Sequence, residues 1–185
     1  MTTKYIIYLD GAKGVGKSTV CALLKKKLTE TIFLDWGCVW REVYDKKPKD
    51  EDDILVLETA IRKVKSILES GVGVLLDNHL TNKRMQAFDF LAKECGVVVL
   101  KYHMTAPIEI LLERVRARDL ENGTLTNIER FYSMHKIQQD KDFSGFKVLD
   151  TTVLSPNDIA NIIIKDVTKL IENKISNLST SQICS

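Results

Sequence analysis

The sequence predicts a three-layer α/β sandwich built on a five-stranded, doubly wound parallel sheet. Three observations lead there. Short, nearly continuous apolar runs alternate with longer stretches of helical spacing, the pattern of strands buried on both faces and joined by crossover helices. The first apolar run, Tyr5 to Leu9, breaks into a glycine-rich segment that passes directly into a helix-like stretch. Asp10, Asp35 and Asp77 each close an apolar run, and the carboxyl ends of strands are where such sheets gather their polar groups.

Each element has its own signal. The glycine segment leads to a helix from Val20 to Leu28, and Thr31 to Asp35 reads as the second strand. Trp36 to Lys49 mixes aromatic and basic residues without a clean period. Ile54, Leu57, Ile61, Val64 and Leu68 step by three and four, which predicts a helix to about Ser70 with Gly71 as its stop. Val72 to Asp77 is the third strand, Asn82 to Cys95 a helix, Val97 to Tyr102 the fourth strand, and Pro107 to Arg118 a helix with proline near its first position. Glu121 to Leu125 is a polar loop, and Thr126 with Glu129 forms a capping-box pattern for a helix running to about Asp140. Phe146 to Leu149 is the fifth strand, and Ser155-Pro156 opens a last helix to about Glu172. One domain over residues 1–173 is expected, with a disordered Ser- and Asn-rich tail over 174–185.

Bulk composition excludes several classes. The 185 residues suit one domain, and 44% hydrophobic with 28% charged residues is ordinary for a globular chain. A net charge of +2 argues neither for nor against a nucleic-acid partner. Cys21, Cys38, Cys95 and Cys184 are scattered without paired spacing, against a zinc site or disulfide frame. No apolar run approaches the roughly 18 residues of a membrane span, so a cytoplasmic protein without a membrane partner is expected.

The glycine segment carries the strongest chemical signal. Gly11-Ala12-Lys13-Gly14-Val15-Gly16-Lys17-Ser18-Thr19 satisfies the phosphate-binding P-loop spacing, with Gly11, Gly16, Lys17 and Ser18 at its fixed positions. Small residues let consecutive backbone N–H groups turn toward an anion, and the following helix adds its positive dipole end. Lys17 is expected on the β/γ-phosphates and Ser18 on Mg²⁺, so a nucleoside triphosphate partner follows. Asp77 closes the third strand, where it can hold the Mg²⁺ shell, and Asp35 closes the second, across from the loop, where it can take a proton from a substrate hydroxyl. Asp10, just before the first glycine, is expected to tie down the loop backbone. Arg114 and Arg118, four residues apart, share a helix face and can swing over a triphosphate, whereas Arg116 points elsewhere. Arg130 is a weaker partner for them. Trp36, Trp40 and Arg41 lie beside Asp35 and are expected to hold an acceptor, by stacking and by a phosphate contact. His79 is expected as a polar neighbour of the site, and His103 and His135 as scaffold.

With Lys17-Ser18, Leu75-Leu76-Asp77-Asn78, Lys83-Arg84, Leu91 to Gly96, Arg114 to Arg118, Gly123 and Glu129 to Lys136, the chain resembles the small P-loop kinases that include the polynucleotide 5′-hydroxyl kinases. The resemblance covers most of residues 5 to 140. It implies a P-loop kinase fold with a small arginine-bearing lid, ATP and Mg²⁺ as cofactors, Asp35 as general base, and Arg114 and Arg118 as lid residues gripping the phosphates. It departs at the acceptor region, where those kinases place an arginine three residues after the base: Cys38 stands there, and the nearest arginine is Arg41. A nucleic-acid hydroxyl is the expected acceptor. A nucleotide, nucleoside or small metabolite is the alternative, and a nucleotide-binding module without catalysis is the least favoured. A guanine-nucleotide switch is disfavoured because no Asn-Lys-x-Asp occurs, Asn82-Lys83 being followed by Arg84-Met85.

Overall fold

A computed structural model describes residues 4–44, 53–77 and 81–181. The Lys46 to Lys49 cluster and His79 lie outside the described residues. In chain order the elements are β1 (Tyr5–Gly11), α1 (Lys17–Lys27), β2 (Thr31–Asp35), α2 (Trp36–Val43), α3 (Ile54–Glu69), β3 (Gly73–Asp77), α4 (Asn82–Glu94), β4 (Val98–Thr105), α5 (Ile108–Asn122), α6 (Ile128–Gln139), β5 (Lys147–Asp150) and α7 (Pro156–Ser181).

The strands form one parallel sheet in the order β2-β3-β1-β4-β5. The chain fills β2 and β3 on one side of β1 and then β4 and β5 on the other, so the segment leaving β1 sits at the switch point of the winding. Period-two alternation splits the core into two layers. Ile7 and Leu9 of β1 pack with Val20 and Leu24 of α1, Leu111 and Val115 of α5, and Ile163 and Val167 of α7. Ile6 and Tyr8 pack on the opposite face with Ala60 and Val64 of α3 and Phe88 and Leu91 of α4. Both faces are covered, which is why these strands read as unbroken apolar runs. Among the described residues no helix is long and apolar enough to cross a membrane.

The five expected strands and the six expected helices are all present, and the differences in bounds and the one added helix have local causes. The aperiodic stretch after β2 contains a helix, α2: the Asp35 side chain accepts the Gly37 N–H at 2.7 Å, an N-cap that overrides the poor helix propensity of a glycine in the first turn. Helix α1 begins at Lys17, earlier than expected. The cap of α6 is Asn127, which accepts the Arg130 N–H, instead of Thr126. The last helix continues to Ser181, because no proline or glycine follows Glu172 to stop it.

Close approach fixes one glycine in the sheet. A Cβ on Gly73 would lie 2.5 Å from the Tyr5 ring, and that ring cannot retreat because its hydroxyl is hydrogen-bonded to Thr31 Oγ1 at 2.6 Å. Gly73→Ala is expected to destabilise the protein by about 1–3 kcal/mol through overpacking. A chemical-denaturation midpoint equal to wild type would contradict the close approach.

Candidate active site

The P-loop joins β1 to α1. Gly16 has φ 97° and stands at the N-terminus of α1, which carries no side-chain cap, leaving that end to an anion. Gly14 has φ +90°, and a Cβ there would meet the Leu111 carbonyl of α5 at 2.7 Å, so the loop rests directly on that helix backbone. The Lys17 ammonium folds back to donate to the carbonyls of Gly11 and, at 3.3 Å, Ala12. Burial pushes the Lys17 pKa down, while Asp77 and Asp10 oppose that shift. A bound phosphate would replace those carbonyl acceptors with a stronger partner.

Parallel register aligns the carboxylates. Asp35 is the register partner of Asp77, and Asp77 is the partner of Leu9, just before the loop. Asp77 is half-buried and its Oδ2 accepts the Cys21 thiol at 3.3 Å. Burial, reinforced by Asp77, holds the Cys21 pKa far above its ordinary range, so the thiol keeps the proton it donates. Ser18 is exposed at the start of α1. One hydroxyl and one carboxylate are hard oxygen donors, and such a sparse set fits Mg²⁺, which keeps waters and takes phosphate oxygens for the rest of its shell.

Asp35 is exposed. Its Oδ1 is occupied as the α2 cap, and its Oδ2 accepts, among the described residues, only the Cys38 thiol, at 3.6 Å, while Arg41 donates to Cys38 Sγ at 3.1 Å. The cap and a proton-accepting oxygen therefore coexist on one side chain. Asp10 accepts the Gly11 N–H at 2.7 Å through Oδ1 and the Lys141 ammonium at 3.0 Å through Oδ2.

A cleft of about 1040 Å³ opens over the loop, lined by residues 12–19, Asp77 and the inner faces of α5 and α6. Arg114, Arg118 and Arg130 all border it. Arg114 donates to Thr151 Oγ1 at 2.8 Å and to the Thr151 carbonyl at 2.9 Å, latching α5 to the turn after β5. Arg118 is exposed and donates to Asp119 at 3.1 Å. Arg116 lies in a separate groove between Leu112, Leu120 and Tyr132, away from the loop. Asp35, Trp36, Trp40 and Arg41 do not border the cleft. Both tryptophans pack partly against the α3–α4 core. The Arg84 guanidinium covers the Trp36 ring at 4.0 Å, and Arg41 stands 5.4 Å from Trp40. The indoles are therefore anchors of α2 more than open stacking surfaces.

Sequence reasoning missed four contributors. Thr151 follows Asp150 at a strand carboxyl end, the same signal that singled out Asp35 and Asp77. Thr126 stands in a capping pattern, but its hydroxyl accepts from Lys13 Nζ at 2.8 Å, joining the tip of the loop to the α5–α6 connection. Asp119 accepts the Thr126 N–H at 2.7 Å and ties that connection to α5. Lys141, in a mixed-charge run after α6, has no local signal at all.

The AAA domain family matches residues 7–134. The chain is 26% identical over 174 residues to the L-seryl-tRNA(Sec) kinase of Methanococcus maripaludis, covering 86% of this chain and 65% of that kinase, so it spans just under two thirds of that relative's length. It is 24% identical over 177 residues to the cytidylate kinase of Sulfurisphaera tokodaii, covering 85% of this chain and 92% of that enzyme. Among solved structures, a gluconokinase from Sinorhizobium meliloti 1021 superposes with a TM-score of 0.65 at 16% identity, covering 96% of this chain and 99% of the other, a likeness of fold alone.

The α5–α6 connection carries a pH signature. Thr126 above all, then Arg118 and Thr124, hold the Asp119 pKa down at about 2. A carboxyl held below its ordinary value adds stability above that value and loses it as pH falls through the depressed one, so the connection should loosen between about pH 4 and pH 2. The Thr126 amide resonance should shift over that window in wild type and stay unmoved in Asp119→Asn. A wild-type midpoint near 4 would contradict the hydrogen-bonding arrangement.

Proposed function

The chain belongs to the AAA domain family and has the P-loop kinase fold, and on that premise we propose that it is an ATP-dependent phosphotransferase acting on the hydroxyl of a nucleotide or nucleic-acid-linked acceptor. The observation that carries this reading is the register pairing of Asp35 with Asp77 at the strand ends beside the P-loop. Asp77 would hold the metal, and the second oxygen of Asp35 meets only the weak Cys38 thiol donor among the described residues, which a substrate hydroxyl can displace.

In this mechanism Asp35 Oδ2 accepts the proton of the acceptor hydroxyl. The hydroxyl oxygen forms a new bond to the γ-phosphorus, the bond from that phosphorus to the bridging oxygen breaks, and ADP leaves. Lys17, Arg118 and the first-turn N–H groups of α1 bind and orient the phosphates, and positioning with charge stabilisation is nearly all of the catalysis in such transfers. Ser18 and Asp77 would hold Mg²⁺, which would supply further charge neutralisation at the phosphate oxygens. Arg114 acts from its latch on Thr151, fixing α5 so that Arg118 reaches the cleft. The two relatives named for seryl-tRNA(Sec) and cytidylate support a nucleotide-bearing acceptor, and exposed Arg41 next to Asp35 offers a phosphate contact. A smaller, uncharged acceptor is the second reading, favoured by the covered face of Trp36.

The test is transfer of ³²P from ATP to CMP, to RNA and DNA 5′ ends, to aminoacylated tRNA, and to nucleosides and sugars. Labelling of a nucleotide or nucleic-acid acceptor is expected, and Asp35→Asn should cut the rate by about 10²–10⁴-fold while ATP affinity stays near wild type. Labelling of sugars alone would overturn the acceptor class, and an unchanged Asp35→Asn rate would reduce Asp35 to a helix cap.

The arginines separate by role. Arg118→Ala should lower kcat with little change in thermal stability. Arg114→Ala should lower both, because it also releases Thr151. Arg116→Ala should alter neither. Equal kcat losses at all three positions would contradict this division of labour.

A further inference from the structure

One buried ion pair lies behind the P-loop and outside its motif. Asp10 is 0% exposed and Lys141 is 6% exposed, and they meet at 3.0 Å. Burying two charges is costly, and an apolar pair of similar volume would serve stability as well or better. The placement of the pair is more informative than its strength. Asp10 Oδ1 holds the N–H of Gly11, the residue at which β1 turns into the loop, while Oδ2 holds the Lys141 ammonium. Lys141 follows the last turn of α6, and its own N–H bonds to the Gln138 carbonyl. Three residues of α6 upstream of it, Arg130, Phe131 and Met134, border the cleft, whereas neither Asp10 nor Lys141 does. Beyond Lys141, Phe143 stacks on His103 at 3.6 Å, and His103 is the register partner of Asp10. The segment after α6 is thus pressed onto the strand ends from which the loop departs.

We infer that Lys141 is a positioning residue for the phosphate loop, acting through Asp10. The ammonium neutralises the Asp10 carboxylate and fixes its orientation, and the carboxylate in turn fixes the Gly11 amide from which the anion-binding turn unfolds. The same bond sets the distance between that turn and α6, so the loop and the opposite wall of the cleft are held as one unit. The inference rests on the nucleotide-site reading above.

The test is Mg²⁺–ADP binding by calorimetry, with thermal unfolding followed by circular dichroism on the same samples and titrations run well below the unfolding temperature. Four proteins are compared: wild type, Lys141→Met, the neutral pair Asp10→Asn/Lys141→Met, and Phe88→Ala, a truncation in the far core layer that serves as the stability control. Lys141→Met should raise Kd by about tenfold or more, since it strands a buried carboxylate at the loop. The neutral pair should fold with near wild-type stability and bind about threefold more weakly, because an amide oxygen holds the Gly11 N–H less strongly than a carboxylate. Phe88→Ala should lower the unfolding temperature and leave Kd unchanged. A Kd within about twofold of wild type in Lys141→Met overturns the inference. If that variant does not fold, a wild-type Kd in the neutral pair overturns it equally. Wild type that binds no ADP removes the nucleotide-site reading and this inference together, whereas binding that is indifferent to both variants removes this inference alone.

Discussion

The parallel hydrogen-bond register of β2, β3 and β1 is the constraint on which the site depends. A parallel ladder aligns strand ends without a turn to join them, so three segments distant in sequence can finish side by side. Asp35 faces Asp77 and Asp77 faces Leu9, which brings two carboxylates and a glycine turn to one edge. Slipping β2 by one residue would exchange Asp35 for an apolar neighbour and turn its side chain to the other face. The cost of holding that register is met by the apolar residues upstream: Ile6, Ile7, Val74 and Leu75 are fully buried and carry no chemistry.

Around that edge the chain has built a frame from polar contacts of long sequence separation. Lys13 reaches Thr126, Arg114 reaches Thr151, and Asp10 reaches Lys141. Each joins a different part of the P-loop and its walls, and none belongs to the same hydrogen-bond ladder. Directional contacts suit this purpose better than apolar packing, because a site for phosphates must remain wet and polar while its walls keep fixed distances. Cys21 shows the same economy on a smaller scale. A thiol that retains its proton is a weak donor, enough to orient Asp77 without competing with a cation for the carboxylate.

What was legible in the sequence follows from range. The strands, the P-loop and the carboxylates that end β2 and β3 are written in short patterns: apolar runs, glycine spacing, an acid at the last position. Periodicity also separated Arg116 from Arg114 and Arg118, since helix faces are set by local geometry. Helix α2 was hidden because its start depends on a single side chain, Asp35, already assigned another task, and because its indoles and Cys38 follow no period. The capping pattern at Thr126 misled for a related reason. The hydroxyl that could have capped α6 is engaged by a lysine more than a hundred positions away, and Asn127 takes its place. Lys141 could not be read at all. Nothing within ten residues of it indicates that its partner is Asp10, because that proximity exists only once β1 lies at the centre of the sheet and the segment after α6 meets the strand ends.

Trp36 and Trp40 are the only tryptophans in the sequence, and both sit on α2, within one turn of each other and beside Asp35. The indole emission of this sequence therefore originates from a single eight-residue helix, with one ring already under a guanidinium at 4.0 Å and the other near one at 5.4 Å. That helix does not line the cleft over the P-loop. The chain consequently carries an intrinsic optical reporter that is local to the Asp35 side: a molecule arriving there perturbs both fluorophores directly, while one confined to the glycine turn reaches them only through displacement of the backbone.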